Sequence, residues 1–116
     1  MSEKNLLDLK CEPCEGGIPP LTKKEEKKYG KQVDNWKIDR EETHKISREF
    51  EFEDFVNAIK FVNEVAELAE EEGHHPNIHI YYNLVDLVLY THAIGGLSEN
   101  DYILAAKINE IYKNSE

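Results

Sequence analysis

The fold is decided by residues 54–76, which read DFVNAIKFVNEVAELAEEEGHHP. Apolar side chains recur here at spacings of three and four residues, the period of an amphipathic helix that faces a core. Glycine favours the left-handed conformation that ends helices and proline cannot continue one, so the helix is predicted to end near Gly73, before Pro76. The predicted buried stripe consists of Phe55, Ile59, Val62, Ala66 and Ala69, widened by Ala58 and Val65.

Alternating apolar and polar residues flank this helix on both sides and predict four strands. After the helix come residues 78–82 and 84–91, and the second of these segments is apolar on both faces, which favours the centre of a sheet. Before the helix, an extended stretch begins at Trp36, and residues 44–52 then place one set of side chains on a common face: Ile46, Arg48, Phe50 and Phe52.

Two capping-box patterns predict the remaining helices. Thr22 precedes Glu25 by three positions, and Ser98 precedes Asp101 by the same distance. Such pairs satisfy free N–H groups at a helix start. The predicted order of elements is α-β-β-α-β-β-α. We therefore expect an α+β fold, with a four-stranded antiparallel sheet and three helices packed on one face.

The composition favours one domain that binds neither nucleic acid nor membrane. The chain has 116 residues, 40 % of them hydrophobic, and a net charge of −10. This is enough for one core, and the acidic surface would repel a polyanion. No apolar run approaches the roughly 20 residues of a membrane helix, and residues 1–5 lack the layout of a signal peptide. The sequence therefore predicts a cytoplasmic location.

The first 21 residues are predicted to be an irregular N-terminal tail, followed by a single domain over residues 22–116. The tail concentrates proline and glycine and shows no helix or strand period. It contains Cys11 and Cys14, but a structural zinc site needs four ligands and no second cysteine pair exists. We therefore expect both cysteines to be thiols that lie outside the core and outside any site.

Four of the five histidines fall between positions 74 and 92. His74 and His75 follow the end of the long helix, where free carbonyl groups favour an imidazolium. Glu70 lies four residues before His74 and could fix the tautomer of a histidine ring. His92 follows Thr91 at the end of the last strand. The three imidazoles are predicted to share one pocket suited to proton transfer near neutral pH.

Each of these residues also has a structural interpretation. Capping or core roles would explain His74, His75 and His92 slightly better than catalysis, and the two interpretations of Glu70 are equally strong. A run of acidic residues on a helix usually forms a solvated face, so Glu71 and Glu72 are expected to lie on one.

The remaining histidines offer no clear site. His44 is expected at the surface without a partner, and His79 is expected to face solvent or a subunit contact. His75 and His79 are four positions apart, but Pro76 between them excludes the helical geometry of a zinc-binding pair. No metal site is predicted.

A spaced set of residues resembles the signature of the pterin-4a-carbinolamine dehydratase family. The set begins with Glu70, His74, His75 and Pro76 and continues with Tyr82, His92 and Asp101. The similarity covers Thr22 to Tyr112. The segment from Cys11 to Leu21 resembles an extension that a subset of the family carries.

The resemblance implies the expected fold, assembly and reaction. It implies a four-stranded antiparallel sheet in a homodimer or homotetramer, with no metal and no cofactor. The implied activity is dehydration of a 4a-hydroxytetrahydropterin, the 4a-carbinolamine, to the quinonoid dihydropterin, which recycles the tetrahydrobiopterin used by aromatic amino acid hydroxylases.

By analogy with the family, His74 and His92 exchange the acid and base roles and His75 holds the pterin. Glu70 orients the histidine pair, and Thr91 and its neighbours would offer backbone groups to the pterin ring. The predicted substrate-binding residues also include Trp36, which would border the pocket, and Gly73, which stands where some members carry an acidic or amide side chain. Asp101 is sufficiently explained as the capping partner of Ser98.

Two other functions remain open at this point. Some relatives act as dimerisation cofactors of a transcription factor, so the chain could be a non-catalytic binding module. Solvent-facing apolar residues on the last helix would favour that interpretation. The histidine cluster could also serve a metal-dependent hydrolase, which activity in a strong chelator would exclude.

Overall fold

The computed structural model describes residues 5–12 and 18–114 and contains the elements that the sequence predicts. The fold is α+β with the order α-β-β-α-β-β-α, as expected, and two short 3₁₀ helices precede α1 and α3. The elements are α1 (Lys23–Gly30), β1 (Lys37–Asp39), β2 (Lys45–Glu51), α2 (Phe55–Glu72), β3 (Asn77–Tyr81), β4 (Leu84–Leu89) and α3 (Glu99–Asn114), and the 3₁₀ helices span Leu6–Asp8 and His92–Ile94.

The four strands form one antiparallel sheet in the order β1-β2-β4-β3. Strand β4 is central, as its two apolar faces predict, and it pairs with β2 on one side and β3 on the other. Its alternate residues Val85, Leu87 and Leu89 are fully buried. Helices α2 and α3 pack on each other, and α2 also packs on β4. No helix in the described part of the chain is long and apolar enough to cross a membrane.

The buried face of α2 is rotated from the predicted stripe. Phe55 is 48 % exposed and Ala66 is also exposed, so the predicted burial of both is wrong. The reason is Phe61, whose ring lies 4.9 Å from Phe50 and 5.0 Å from Phe52 between ring centroids. A large aromatic side chain contributes more buried area than the residues that it displaces. The buried residues of α2 are Ala58, Phe61, Val65 and Ala69.

Residues 5–12, here called the N-terminal strap, pack on the domain. Leu6 is fully buried in the main core, and its N–H donates to Gln32 Oε1 over 3.0 Å. The expectation that the tail lies outside the core is therefore wrong at Leu6, and it is also wrong at Cys11, which is partly buried and packs against the same core. A single buried leucine in a three-residue 3₁₀ helix produces no periodic pattern, so the sequence gives no signal of it. The boundary at residue 22 stays a prediction.

The strap also fixes Cys11 between α2 and α3. Its N–H donates to Glu72 Oε1 over 2.9 Å, and its Sγ lies 3.6 Å from the carbonyl oxygen of Asn100. Burial, followed by the charge of Glu72, raises the pKa of the Cys11 thiol to about 12. Cys11 is therefore a protonated thiol at neutral pH, which makes it a weak nucleophile. Cys14 lies outside the described residues.

Glu72 is not part of a solvated acidic face, contrary to expectation. Its side chain is 6 % exposed, and the Lys107 ammonium donates to Oε2 over 2.6 Å. Burial opposes ionisation of this carboxyl, but the hydrogen bonds from Lys107 and from the Cys11 N–H outweigh it and lower the pKa of Glu72. Glu72 therefore joins α2, α3 and the strap as a buried anion.

We expect Glu72→Gln to destabilise the fold at pH 7 by about 2 kcal/mol, the usual contribution of a hydrogen bond to a charged group. A carboxyl with a lowered folded-state pKa stabilises above its ordinary pKa, 4.5, and loses that contribution as the pH falls through the folded value. Urea unfolding at pH 7 and pH 3 measures this, with exposed Glu67→Gln as control. An equal loss of stability at both pH values would contradict the assignment.

A second buried carboxylate lies outside the histidine cluster. The side chain of Glu26 on α1 is fully buried. It accepts hydrogen bonds from Arg40 Nε over 2.8 Å and from His44 Nδ1 over 2.6 Å. The prediction of His44 as a surface residue without a partner is therefore wrong. Its partner is 18 residues away in sequence, where local patterns carry no information.

Candidate active site

Helix α2 ends in a glycine cap that directs two histidines away from its axis. Gly73 has the left-handed conformation, with φ 69° and ψ 24°. Its N–H donates to the Ala69 carbonyl over 2.9 Å, and the His74 N–H donates to the same oxygen over 3.2 Å. The helix therefore ends where the sequence predicts, and the chain leaves it abruptly.

His74 is held by a buried carboxylate of α3. Its Nε2 lies 2.6 Å from Asp101 Oδ1, and the side chains of His74 and Asp101 are 13 % and 0 % exposed. Because an ionised carboxylate only accepts hydrogen bonds, His74 Nε2 is the donor. In the neutral ring Nδ1 then carries the lone pair, and it is the atom of His74 that can take a proton.

The other oxygen of Asp101 is also engaged. Oδ2 accepts from the Thr91 hydroxyl over 2.8 Å and from the Ser98 N–H over 2.9 Å. Since the Thr91 proton goes to Asp101, the Ser98 hydroxyl donates to Thr91 Oγ1 over 2.7 Å. The bond to the Ser98 N–H agrees with the capping prediction for Asp101. Capping does not account for the bond to His74, which the sequence reasoning missed.

Glu70 contacts His75 and not His74. His75 Nε2 lies 2.5 Å from Glu70 Oε2, and the two side chains are 59 % and 79 % exposed. The expected pairing of Glu70 with His74 assumed helical geometry beyond Gly73, but the left-handed cap breaks that geometry. The Glu70 to His75 pair lies at the surface, where screening by water makes such pairs weak.

His92 reaches the same region from the end of β4. Thr91 forms an isolated bridge with Gly96, and its N–H donates to the Gly96 carbonyl over 2.8 Å. His92 then begins a 3₁₀ helix that ends at Gly95, another left-handed residue with φ 65°. The ring of Tyr90 stands edge-on to the His92 ring, with 6.3 Å between centroids.

An open cleft of about 290 Å³ brings these elements together. The three imidazoles that the sequence singles out line it with Gly73 and Thr91. The sequence reasoning did not include Glu12 of the strap or Asn100 of α3, because neither belongs to a spaced motif. The cleft is lined by Glu12, Gly73, His74, His75, Tyr90, Thr91, His92, Ala93 and Asn100.

Trp36 lies elsewhere in this chain. Its Nε1–H donates to Asn109 Oδ1 over 2.8 Å, and its ring stands edge-on to Phe50 with 6.1 Å between centroids. It lines a separate cavity of about 240 Å³ beside α1 and β1, with Glu26 and Val33 among the lining residues. Trp36 is absent from the described lining of the histidine cleft, so its predicted position at that pocket is not what the structure gives.

The site can supply two proton-transfer groups of different character. His74 is mostly buried and is held by a buried carboxylate, which stabilises the imidazolium that forms when the ring accepts a proton. His92 is exposed, so its ring is accessible to solvent and to a ligand in the cleft. Among the described residues, no three histidine, cysteine or acidic side chains are grouped so that they could hold a metal ion.

Comparison with known proteins gives a consistent result. Residues 19–111 match the family model of pterin 4 alpha carbinolamine dehydratase. A relative from Nitrosomonas europaea, provisionally named a pterin-4-alpha-carbinolamine dehydratase, is 43 % identical over 111 residues, 95 % of this chain and 96 % of its own. A relative of the same provisional name from Rickettsia canadensis is 45 % identical over 104 residues, 89 % of this chain and 94 % of its own.

Two solved structures share the fold. The crystal structure of a transcriptional coactivator/pterin dehydratase from Brucella melitensis superposes with a TM-score of 0.75 at 36 % identity, over 79 % of this chain and 97 % of the other. A pterin dehydratase-like protein identified as a RuBisCO assembly factor in the alpha-carboxysome superposes with a TM-score of 0.59 at 22 % identity. The superposition covers 70 % of this chain and 93 % of the other chain, and at this identity it shows only that the two proteins share a fold.

Proposed function

The chain belongs to the pterin-4a-carbinolamine dehydratase family, and from this premise we propose that it dehydrates a 4a-hydroxytetrahydropterin to the quinonoid dihydropterin. One observation carries the proposal. His74, His75 and His92 line a single cleft, and the first of them donates to a buried carboxylate. Family membership alone does not require three histidines at one cleft with a buried carboxylate beside one of them, and this arrangement supports the proposal.

The reaction needs an acid and a base and no redox step. The bond between C4a and the hydroxyl oxygen breaks, and an imidazolium donates the proton that lets this oxygen leave as water. A neutral imidazole takes the proton from N5, and the electrons of that N–H bond form the double bond between C4a and N5. Histidine suits both roles near neutral pH.

The different environments of the three histidines support different roles for them in the reaction. We assign the proton transfers to His74 and His92, which exchange the acid and base roles. Asp101 fixes the His74 tautomer and stabilises its imidazolium. We assign His75 to holding the pterin, because its pairing with Glu70 at the surface orients the ring without burying it. The backbone groups of Thr91 have no role in this proposal, because its N–H donates to the Gly96 carbonyl and its carbonyl accepts from the Ile94 and Gly96 N–H groups.

We expect the purified protein to accelerate carbinolamine dehydration after dialysis against a strong chelator, because imidazoles supply both proton transfers. The substrate is generated in the assay by a hydroxylase, and the quinonoid dihydropterin is followed by its absorbance. A rate equal to the buffer blank would overturn the proposal. A rate that disappears with chelation and returns with added metal would instead favour the interpretation of the histidine cluster as the site of a metal-dependent enzyme.

The binding-module alternative lacks the feature that would favour it. Within residues 99–114 the structure describes no exposed large hydrophobic side chain, and most of the first half of α3 is buried. The Brucella melitensis protein is named for both activities, so its name does not separate them. If the folded protein were inactive in the dehydration assay, the binding module would become the favoured function.

We expect the protein to form a homodimer or homotetramer. Strand β3 is an edge of the sheet, and Ile80, Tyr81 and Tyr82 at that edge are 39 %, 60 % and 68 % exposed. Phe55 and Val56 are exposed at the start of α2. Large exposed apolar side chains near an open sheet edge favour association. Light scattering on the assayed sample checks this, and a monomeric mass would contradict it.

A further inference from the structure

The N-terminal strap contributes a carboxylate to the rim of the histidine cleft. Glu12 lies in the cleft lining, at the end of the strap, and is exposed. Its backbone is fixed on both sides by one side chain of α3. The Glu12 N–H donates to Asn100 Oδ1 over 2.9 Å, and Asn100 Nδ2 donates to the Glu12 carbonyl over 2.6 Å.

This position is held from several directions. Asn100 is 8 % exposed and directly precedes Asp101, which holds His74. The neighbouring Cys11 N–H donates to the buried Glu72, and Leu6 anchors the other end of the strap in the core. The bonds to Glu12 use only its backbone groups, so its carboxylate is not needed to fix the strap. These contacts of the strap therefore hold the backbone of Glu12 at the rim of the cleft without any ligand.

Two other carboxylates close to the cleft histidines, Asp101 and Glu70, have defined partners. Asp101 accepts bonds from His74, Thr91 and the Ser98 N–H. Glu70 accepts from His75 and is not part of the cleft lining. Glu12 is the carboxylate of the described lining whose anchoring bonds leave both of its oxygens available to a ligand.

The chemistry of a pterin gives such a carboxylate a target. The 2-amino-4-oxo ring carries an N3–H and a 2-amino group side by side, two parallel donors that match the two oxygens of one carboxylate. Bonds of this kind to a charged acceptor combine affinity with geometric specificity. We propose that Glu12 recognises the 2-amino edge of the pterin and is a specificity-determining residue, an inference that rests on the proposed function.

The test compares two ring systems that differ at this edge. Pterin carries the 2-amino group, and lumazine carries an oxygen in its place, which would face the Glu12 carboxylate with an acceptor. We expect wild-type protein to bind pterin at least about 10-fold more tightly than lumazine in calorimetric titrations. Glu12→Gln should reduce that preference to about twofold or less, because an amide presents one acceptor and one donor. Exposed Glu41→Gln, in the turn between β1 and β2, is the matched control.

Steady-state kinetics give a second readout. Glu12→Gln should raise KM about 10-fold while kcat changes less than about twofold, since the bond is made equally in the ground and transition states. Asn100→Ala, which releases the strap, should lose the same pterin preference. If wild type prefers pterin and Glu12→Gln keeps that preference, this inference fails and the proposed function stands. If wild type neither binds pterin nor dehydrates the carbinolamine, both fail.

Discussion

Replacing His74 by alanine is expected to lower kcat by about 10²- to 10⁴-fold, the usual contribution of a general acid or base. KM should change much less, because the missing proton transfer occurs only in the transition state. His92→Ala should act in the same way, since the reaction needs an acid as well as a base. Initial rates over a range of substrate concentrations, with the fold checked by circular dichroism, measure both parameters.

Two other histidines serve as comparisons for this experiment. His75→Ala should raise KM and leave kcat nearly unchanged, because a contact made equally in both states affects affinity more than turnover. His79 is exposed on β3 opposite Asp86, outside the described lining of the cleft, and His79→Ala should behave like wild type. If His79→Ala proved as damaging as His74→Ala in a folded protein, the location of the site would be wrong.

Asp101→Asn is expected to lower kcat by about 10²-fold or more while nearly preserving the shape of the side chain. The Thr91 hydroxyl and the Ser98 N–H both donate to Oδ2, so the amide oxygen must occupy that place. The amide NH₂ then faces His74 Nε2 and forces this nitrogen to become the acceptor. The proton moves to Nδ1, and the ring loses the lone pair with which it takes a proton.

The tautomer can be measured directly. Nitrogen-15 NMR of the imidazole rings should show His74 protonated at Nε2 in wild type and at Nδ1 in Asp101→Asn. Glu26→Gln is the matched control, because Glu26 is an equally buried carboxylate that contacts a histidine, His44, outside the cleft. It should reduce stability without reducing kcat. If Asp101→Asn and Glu26→Gln both lost activity in proportion to their loss of stability, Asp101 would have a structural role only.

The fold could be predicted because its signals are local. The period of α2, its end at Gly73 and the apolar β4 follow from spacing along the chain, and all three agree with the structure. The buried face of α2 could not be predicted from spacing. Phe61 lies in the core because its ring packs against Phe50 of β2 and against Phe52, which follows that strand. Which apolar residue reaches the core depends on the shape of the opposite surface, which one sequence does not contain.

The site could be predicted in part, for the same physical reason. The three imidazoles stand at the ends of α2 and β4, and an antiparallel sheet covered by helices brings such ends together. Their partners could not be predicted from spacing. Asp101 reaches His74 across 27 positions, and the cap at Gly73 turns Glu70 toward His75 instead. Trp36 was assigned to the cleft by analogy alone, and in this chain it packs on Phe50.

The strap places one lining residue of the cleft outside the segment that the family model matches. The family match begins at residue 19, whereas Glu12 in the wall of the cleft comes from before that point. On the proposed function, the histidines assigned to proton transfer and the carboxylate assigned to ligand recognition come from different parts of the chain. A chain shortened to the matched segment would keep the three histidines and Asp101 and would lose Glu12.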